Sequence, residues 1–105
     1  MKSLYVAGPY RGKTDDEVYE NIQRARRYAK KYWRLGYAVF CPHLNTSFFS
    51  GVVDEHQFML AGLKILAICE VLMLPPHWAD SEGCIKEQRL ARKMDKKIIY
   101  DEEDL

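Results

Sequence analysis

The sequence predicts an α/β fold: a small Rossmann-like or flavodoxin-like three-layer sandwich with a parallel sheet of about four to five strands. Short apolar runs alternate with longer segments of helical period, which is the pattern of a parallel sheet with right-handed crossovers. The chain has 105 residues, and 48% of them are hydrophobic. This length and composition predict one packed core and a single domain over residues 1–105.

The first strand and the first helix have clear local signals. An apolar run over residues 4–7 predicts a buried strand. Thr14 and Glu17 have the spacing of a capping box, which predicts a helix that starts after Thr14. The helix is expected to run to about Leu35 and to end at Gly36. Its apolar stripe is expected to comprise Val18, Ile22, Ala25, Ala29, Tyr32 and Leu35.

The rest of the chain continues the alternation. Pro42 is expected to end the second strand, and Pro75 and Pro76 predict a rigid turn after the third. The expected elements are a strand over residues 37–41, a loop over 43–54, a helix over 55–67, a strand over 70–74, a helix over 81–94 and a strand over 97–100.

The charge balance disfavours two classes of partner. The chain has 16 basic and 15 acidic residues and a formal net charge of +1, so nothing indicates binding to nucleic acid or to a membrane surface. Basic residues in the first helix lie mostly off its apolar stripe and are interpreted as a solvated face. They are Arg24, Arg27, Lys30, Lys31 and Arg34.

The remaining composition points to a cytoplasmic protein. We find no signal peptide and no apolar run long enough to span a membrane. Cys41, Cys69 and Cys84 are an odd number of cysteines without the spacing of a disulfide framework. They are expected to be reduced thiols.

A junction between strand and helix near residue 81 could bind phosphate. Ser81 and Gly83 follow an apolar strand and open a helix, where unpaired backbone N–H groups and the helix dipole favour an anion. Glu87 lies six residues after Ser81, which is roughly 9 Å along a helix at about 1.5 Å per residue. That is about the span from a 5′-phosphate to the anomeric carbon of a nucleotide. A simple helix cap followed by surface charges explains the same segment.

A second junction lies at the end of the first strand. The turn Gly8-Pro9-Tyr10-Arg11-Gly12 brings an arginine and bare backbone to the carboxyl edge of the sheet. Ligands of open α/β sheets bind at that edge. An arginine such as Arg11 is by itself more often solvated than functional, but the two junctions together indicate a ligand site.

These residues carry a resemblance to a known family. The run Tyr5-Val6-Ala7-Gly8-Pro9-Tyr10-Arg11-Gly12 and the later pattern Ser81-x-Gly83-x-x-x-Glu87 resemble the nucleoside 2-deoxyribosyltransferase superfamily. The resemblance extends from about residue 4 to 99. It is closest to the small branch that includes the 2′-deoxynucleoside 5′-monophosphate N-glycosidases.

The resemblance implies roles for individual residues. It implies that Glu87 is the nucleophile, that Tyr5 lies beside it, and that Arg11 and Ser81 contact a 5′-phosphate. It also implies a homodimer or larger assembly, since a neighbouring subunit often completes the pocket in this family. Gly8, Pro9 and Gly83 belong to the same two substrate-binding segments.

Two positions depart from the family pattern. Pro9 stands where the monophosphate glycosidases have serine, and Gly62 aligns with an aspartate that normally helps at the sugar. The missing carboxylate indicates either an altered substrate or lost activity.

Other chemistries are less well supported. Cys41, His43, His56 and His77 are scattered without metal-ligand spacing, so neither a metal nor another cofactor is expected. His43 and Asn45 either face the crevice, touching base or ribose, or hold a turn by local hydrogen bonds. Cys84 is interpreted as a small buried thiol. The aromatic residues Phe48, Phe49 and Trp78 fit base stacking and packing equally well.

The sequence therefore predicts an enzyme that acts on an N-glycosidic bond. The substrate would be a nucleoside or nucleoside 5′-monophosphate, and the reaction a hydrolysis or a transfer through a glutamate nucleophile. One alternative is a nucleotide-binding module without catalysis, which the glycine at position 62 favours. The other is a small flavodoxin-like domain that acts through protein contacts.

Overall fold

The computed structural model describes all 105 residues, from Met1 to Leu105. Strands and helices alternate along the chain as predicted. No helix combines the length and the apolar character needed to cross a membrane. The elements are β1 (Ser3–Val6), α1 (Asp15–Arg34), β2 (Ala38–Phe40), α2 (Pro42–Asn45), α3 (Glu55–Ile68), β3 (Val71–Leu74), a short 3-10 helix (Trp78–Asp80), α4 (Glu82–Lys93) and β4 (Lys97–Tyr100).

The sheet has four strands, all parallel, in the order β2-β1-β3-β4. Tyr5 on β1 lies opposite Phe40 on β2 and Leu72 on β3. The direction of winding reverses between β1 and β3, because β1 leads outward to β2 whereas β3 leads outward to β4. This reversal creates a crevice at the carboxyl ends of β1 and β3, where open α/β sheets bind ligands.

Helices cover both faces of the sheet, which confirms the predicted three-layer sandwich. Leu4 and Val6 point to one face and pack with Tyr28 and other residues of α1. Tyr5 points to the opposite face and packs with Leu66 of α3 and with residues of α4. All four residues of β3 are fully buried, as expected of a central strand covered on both sides.

The ends of α1 are as predicted, but one residue of its stripe is not. The capping box of Thr14 and Glu17 is present, and Gly36 adopts a left-handed φ of 96°. Leu35 is 62% exposed, so its assignment to the stripe was wrong. It is the C-cap and lies beyond the last helical residue, so the helical period no longer directs its side chain. Tyr28, which the sequence analysis left out, is buried instead.

The final segment of the chain lies across α1. The buried carboxylate of Asp101 accepts hydrogen bonds from the Tyr32 hydroxyl at 2.6 Å and the Lys31 ammonium at 2.8 Å. Burial raises the pKa of Asp101, but these two bonds outweigh it and hold the pKa below its ordinary value. The Tyr28 hydroxyl donates to the Glu103 carbonyl at 2.7 Å. These bonds attach the acidic segment to the helix.

Three residues of the predicted basic face on α1 bind this acidic segment. Lys31 binds Asp101, Arg27 donates to the Leu105 carbonyl at 2.7 Å, and Arg24 pairs with Asp104. The sequence pattern could not show this, because the acidic partners lie at the far end of the chain.

Most predicted boundaries differ from the observed ones by one or two residues. The larger difference is α2, which occupies the start of the predicted loop over residues 43–54. Pro42 takes the first helical position, where its fixed φ suits a helix and its missing N–H is not needed. The Cys41 carbonyl then accepts from the backbone N–H groups of Leu44 and Asn45, which closes the turn.

Candidate functional site

A cavity of about 640 Å³ occupies the crevice at the carboxyl ends of β1 and β3. Its walls are the loop after β1, the segment from α2 to α3, the first half of α3 and the first turns of α4. This volume lies within the range of about 300–1,000 Å³ that is typical of small-molecule sites. The sheet places the cavity here because the two central strands end side by side.

Glu87 is a buried carboxyl group at the wall of this cavity. It lies in the second turn of α4, it is only 6% exposed, and no basic side chain pairs with it. Burial raises its pKa from about 4.5 to about 7, and the nearby Tyr5 hydroxyl lowers it in part. The group is therefore poised between its acid and its carboxylate form near neutral pH.

Tyr5 supplies the polar neighbour of Glu87. Its ring is buried between the sheet and α3, with the Phe40 ring centroid 5.9 Å away. Burial, followed by the charge of Glu87, raises the pKa of Tyr5 far above its ordinary value. The hydroxyl therefore stays protonated and can donate to the carboxylate.

Gly62 on α3 lies directly against this pair. A β-carbon at Gly62 would be 2.8 Å from the Tyr5 hydroxyl oxygen, which is too close for an unstrained contact. The glycine therefore allows α3 to approach Tyr5. At this position, where the sequence resemblance implies an aspartate, this chain has room for a side chain only if Tyr5 moves.

The start of α4 has the predicted cap. Ser81 is the N-cap, and its hydroxyl oxygen accepts from the backbone N–H of Cys84 at 3.3 Å. Gly83 lies close to Met59, whose terminal methyl would be 2.9 Å from a β-carbon at Gly83. Cys84 is fully buried, and burial raises the pKa of its thiol to about 12. The interpretation of Cys84 as a small buried thiol is confirmed.

The loop after β1 is held by a side chain of α1. The Asn21 side-chain amide donates to the carbonyls of Tyr10 at 3.1 Å and Arg11 at 3.0 Å. The guanidinium of Arg11 forms an ion pair with Glu55 on α3, with Nε and Oε2 2.8 Å apart. Both side chains line the mouth of the cavity.

His43 joins this loop to α2. It is 5% exposed, and its Nε2 donates to the Pro9 carbonyl at 3.0 Å, while Nδ1 is buried without a partner. Burial lowers its pKa, so the ring is neutral. Its ring atoms would lie 3.6–3.7 Å from a β-carbon at Gly8. His43 and Asn45 both line the cavity, yet the hydrogen bond of His43 supports the loop.

All nine residues predicted for the site line this one cavity. They are Tyr5, Gly8, Pro9, Arg11, His43, Asn45, Ser81, Gly83 and Glu87. The cavity also includes Glu55 and His77, which the sequence analysis did not assign to the site. His77 adopts a left-handed φ of 63°, and no local sequence signal indicated either residue.

The aromatic candidates lie in different places. Trp78 packs against Tyr100, with ring centroids 5.8 Å apart, and does not line the cavity. Phe49 lines the cavity, whereas Phe48 is 97% exposed. No three or more His, Cys, Asp or Glu side chains converge as metal ligands.

The fold and its crevice place this molecule in a known structural class. It is similar to the solved structure of a 2-desoxiribosyltransferase from Leishmania mexicana, with a TM-score of 0.53 and 21% sequence identity. The match covers 93% of this chain and 62% of that chain, so this protein spans less than two thirds of the enzyme's length. The similarity confirms the fold implied by the sequence resemblance. Membership of the small monophosphate-glycosidase branch stays a prediction.

The family is also defined by sequence. The family profile described as domain of unknown function DUF4406 matches residues 2–100, and the chain belongs to this family. No curated protein matches the chain.

Proposed function

We propose that this protein breaks the N-glycosidic bond of a nucleoside or nucleoside 5′-monophosphate, with Glu87 as the nucleophile. The observation that carries the proposal is the buried, unpaired carboxyl of Glu87 beside the Tyr5 hydroxyl in a cavity of nucleotide size. A buried titratable group with a shifted pKa in a cleft is a frequent mark of a catalytic residue.

The proposed chemistry has two steps. The Glu87 carboxylate attacks C1′ of the sugar, and the C1′–N bond breaks with its electrons passing to the base, which then takes up a proton. Water, or a second base, next attacks C1′ and releases the carboxylate. With a pKa of about 7, a large fraction of Glu87 is ionised at neutral pH. The Tyr5 hydroxyl orients the carboxylate.

The substrate's other groups have suitable partners around the cavity. Arg11, the Ser81 hydroxyl and the first backbone N–H groups of α4 would hold a 5′-phosphate. Gly8 and Pro9 line the cavity in the loop after β1, and Gly83 lines it in the first turn of α4. Asn45 would contact base or ribose, while His43 positions the loop. Such binding energy would place C1′ against Glu87.

We further propose that the protein works in the cytoplasm as a homodimer or larger assembly. Its three cysteines are all free and buried. The helix α3 is rich in apolar residues, and not all of them are buried. Leu60 is 53% exposed and Ile68 is 80% exposed. A second copy packed against α3 would cover these side chains. Light scattering should give at least twice the monomer mass of 12.3 kDa, and a monomer at working concentrations would contradict this assembly.

A nucleotide-binding module without catalysis is the second candidate. Gly62 favours it, because this position provides no carboxylate at the sugar. Such a module would bind nucleotides and raise the melting temperature without forming a product.

One experiment separates the two candidates. Nucleosides and 5′-monophosphates are screened for base release by chromatography, and binding is measured on the same samples by calorimetry. If the protein is an enzyme, the wild type should release the base, and Glu87→Gln should lower the rate of release by orders of magnitude. The circular dichroism spectrum of the variant should be unchanged. It also predicts that Arg11→Ala impairs turnover of monophosphates far more than that of free nucleosides. Tight binding with no base released over hours would contradict catalysis.

A further inference from the structure

We propose that Glu55 makes the cavity selective for phosphate by occupying Arg11 until a doubly charged phosphate group displaces it. This inference rests on the proposed function, since it assigns the group that recognises the phosphate of the substrate. In the ligand-free protein Arg11 Nε donates to Glu55 Oε2 at 2.8 Å, across the mouth of the cavity.

The exchange requires only side-chain motion. The Asn21 amide holds the carbonyls of Tyr10 and Arg11, and the backbone at Gly12 packs so closely on Glu17 that a side chain at Gly12 would clash with the Glu17 β-carbon. The loop is therefore fixed on both sides of Arg11. The Arg11 side chain itself is 71% exposed and can turn toward a new partner.

The pair is weak enough to be displaced. The Glu55 side chain is 68% exposed, and water screens ion pairs at such positions. A phosphate dianion carries twice the charge of a carboxylate and accepts two parallel bonds from a guanidinium. Phosphate therefore competes well for Arg11, whereas a neutral hydroxyl or a single carbonyl does not.

The carboxylate that is released remains stabilised. Glu55 is the first residue of α3, directly after the N-cap Asp54, whose side chain accepts from the Gln57 backbone N–H at 2.8 Å. A negative charge in the first turn of a helix interacts favourably with the helix dipole. Glu55 therefore does not need Arg11 as a partner once phosphate has bound.

The second arginine of the cavity is also occupied. Arg24 lines the cavity and pairs with Asp104 of the final segment. In the ligand-free state both guanidinium groups at the cavity are thus neutralised by carboxylates. A ligand can bind one of these arginines only if its own anionic group displaces the carboxylate that is paired with it. The pairing therefore discriminates between phosphorylated and neutral ligands.

The test uses ligands that have no glycosidic base. Binding of 2-deoxyribose 5-phosphate and of 2-deoxyribose is measured by NMR titration for the wild type, Glu55→Gln, Arg11→Ala and the double variant. Glu102→Gln, which removes an exposed carboxylate outside the cavity, is the matched control. Glu55→Gln should bind the sugar phosphate about two- to five-fold more tightly, the range expected for losing one exposed ion pair. The sugar should be unaffected, and Glu102→Gln should match the wild type.

The double variant decides whether the effect passes through Arg11. In the Arg11→Ala background, Glu55→Gln should give no further gain. In the background that retains Arg11, the Glu55→Gln substitution should shift the NMR signal of the Arg11 Nε–H group even without ligand. An equal gain in both backgrounds, no gain at all, or no binding of the sugar phosphate to any variant would overturn the proposal. Base release from nucleotides is measured separately, so its absence would contradict the proposed enzyme and leave the role of Glu55 standing.

Discussion

The Tyr5 hydroxyl oxygen lies 2.8 Å from the point that a β-carbon on Gly62 would occupy. This contact joins the central strand β1 to α3 beside the buried carboxyl of Glu87. Because Gly62 has no side chain, α3 packs against the hydroxyl and leaves it free to donate to Glu87. Gly62 thus has a structural role in this chain.

Replacing Gly62 tests this contact. Gly62→Ala should force Tyr5 to shift and destabilise the fold by about 1–3 kcal/mol through overpacking. A gain of up to about 1 kcal/mol in helix propensity offsets part of that cost. In the Tyr5→Phe background the hydroxyl is gone, so the same substitution should be neutral or stabilising. Urea denaturation of the four proteins gives the coupling energy, and strictly additive effects would contradict the close contact.

Removing the Tyr5 hydroxyl should raise the pKa of Glu87. The hydroxyl now lowers that pKa, which burial has raised to about 7. In Tyr5→Phe the carboxyl should therefore ionise at a higher pH, and any activity that needs the carboxylate should rise at a correspondingly higher pH. NMR titration of the Glu87 carboxyl carbon measures the shift with or without turnover. Tyr32→Phe removes a hydroxyl on the opposite face of the sheet and is the control. A Glu87 pKa that stays the same or falls would refute the interaction.

Glu87 should cost the protein stability at neutral and alkaline pH. Its pKa is about 7 in the folded chain, above the ordinary value of about 4.5, so the folded state binds the proton more tightly than the unfolded state. The free energy of unfolding should therefore fall as pH rises from about 4.5 to 7, by about 3 kcal/mol in total at 1.36 kcal/mol per unit.

Glu87→Gln removes this dependence while nearly preserving the shape of the side chain. The variant should be more stable than the wild type at pH 8 and close to it at pH 5, as measured by denaturant unfolding at both values. Glu82→Gln, at an exposed position one turn earlier, is the control. A variant that is less stable than the wild type at pH 8 would show that ionised Glu87 has a favourable partner.

His43 should support the loop after β1 through its bond to the Pro9 carbonyl. Gln presents an amide donor at a similar reach, so His43→Gln should keep more stability than His43→Ala. The alanine variant should lose about 1–3 kcal/mol, because the carbonyl loses its donor.

His43 should also make the stability of the fold sensitive to acid. Burial lowers the pKa of His43 below its ordinary value of 6.5, so the unfolded chain binds a proton at a pH where the folded chain does not. Stability should fall as pH drops below about 6.5, and His43→Gln should remove that component. Unfolding curves between pH 5 and 8 measure it, with the exposed His56→Gln as control. An unchanged pH profile in His43→Gln would contradict the neutral, buried ring.

The sequence by itself determined nearly all the elements and their order along the chain, although not the short helix α2 or the order of the strands in the sheet. The capping box at Thr14, the glycine at position 36 and the buried strands are local patterns, and each appears where the pattern predicts it. Parallel strands that alternate with helices must end at one edge of the sheet. For that reason the sequence also indicated that Arg11, Ser81 and Glu87 belong to one crevice.

Only the tertiary structure decided how these side chains are partnered. Glu55 holds Arg11, and Asp101 binds Lys31. Each pair joins residues that are far apart in the chain, so no periodicity or spacing links them. The same holds for the contact between Tyr5 and Gly62, which depends on the distance at which α3 rests on the sheet. Packing sets such distances through the shapes of all the buried side chains together, whereas a sequence pattern reports only on neighbours along the chain.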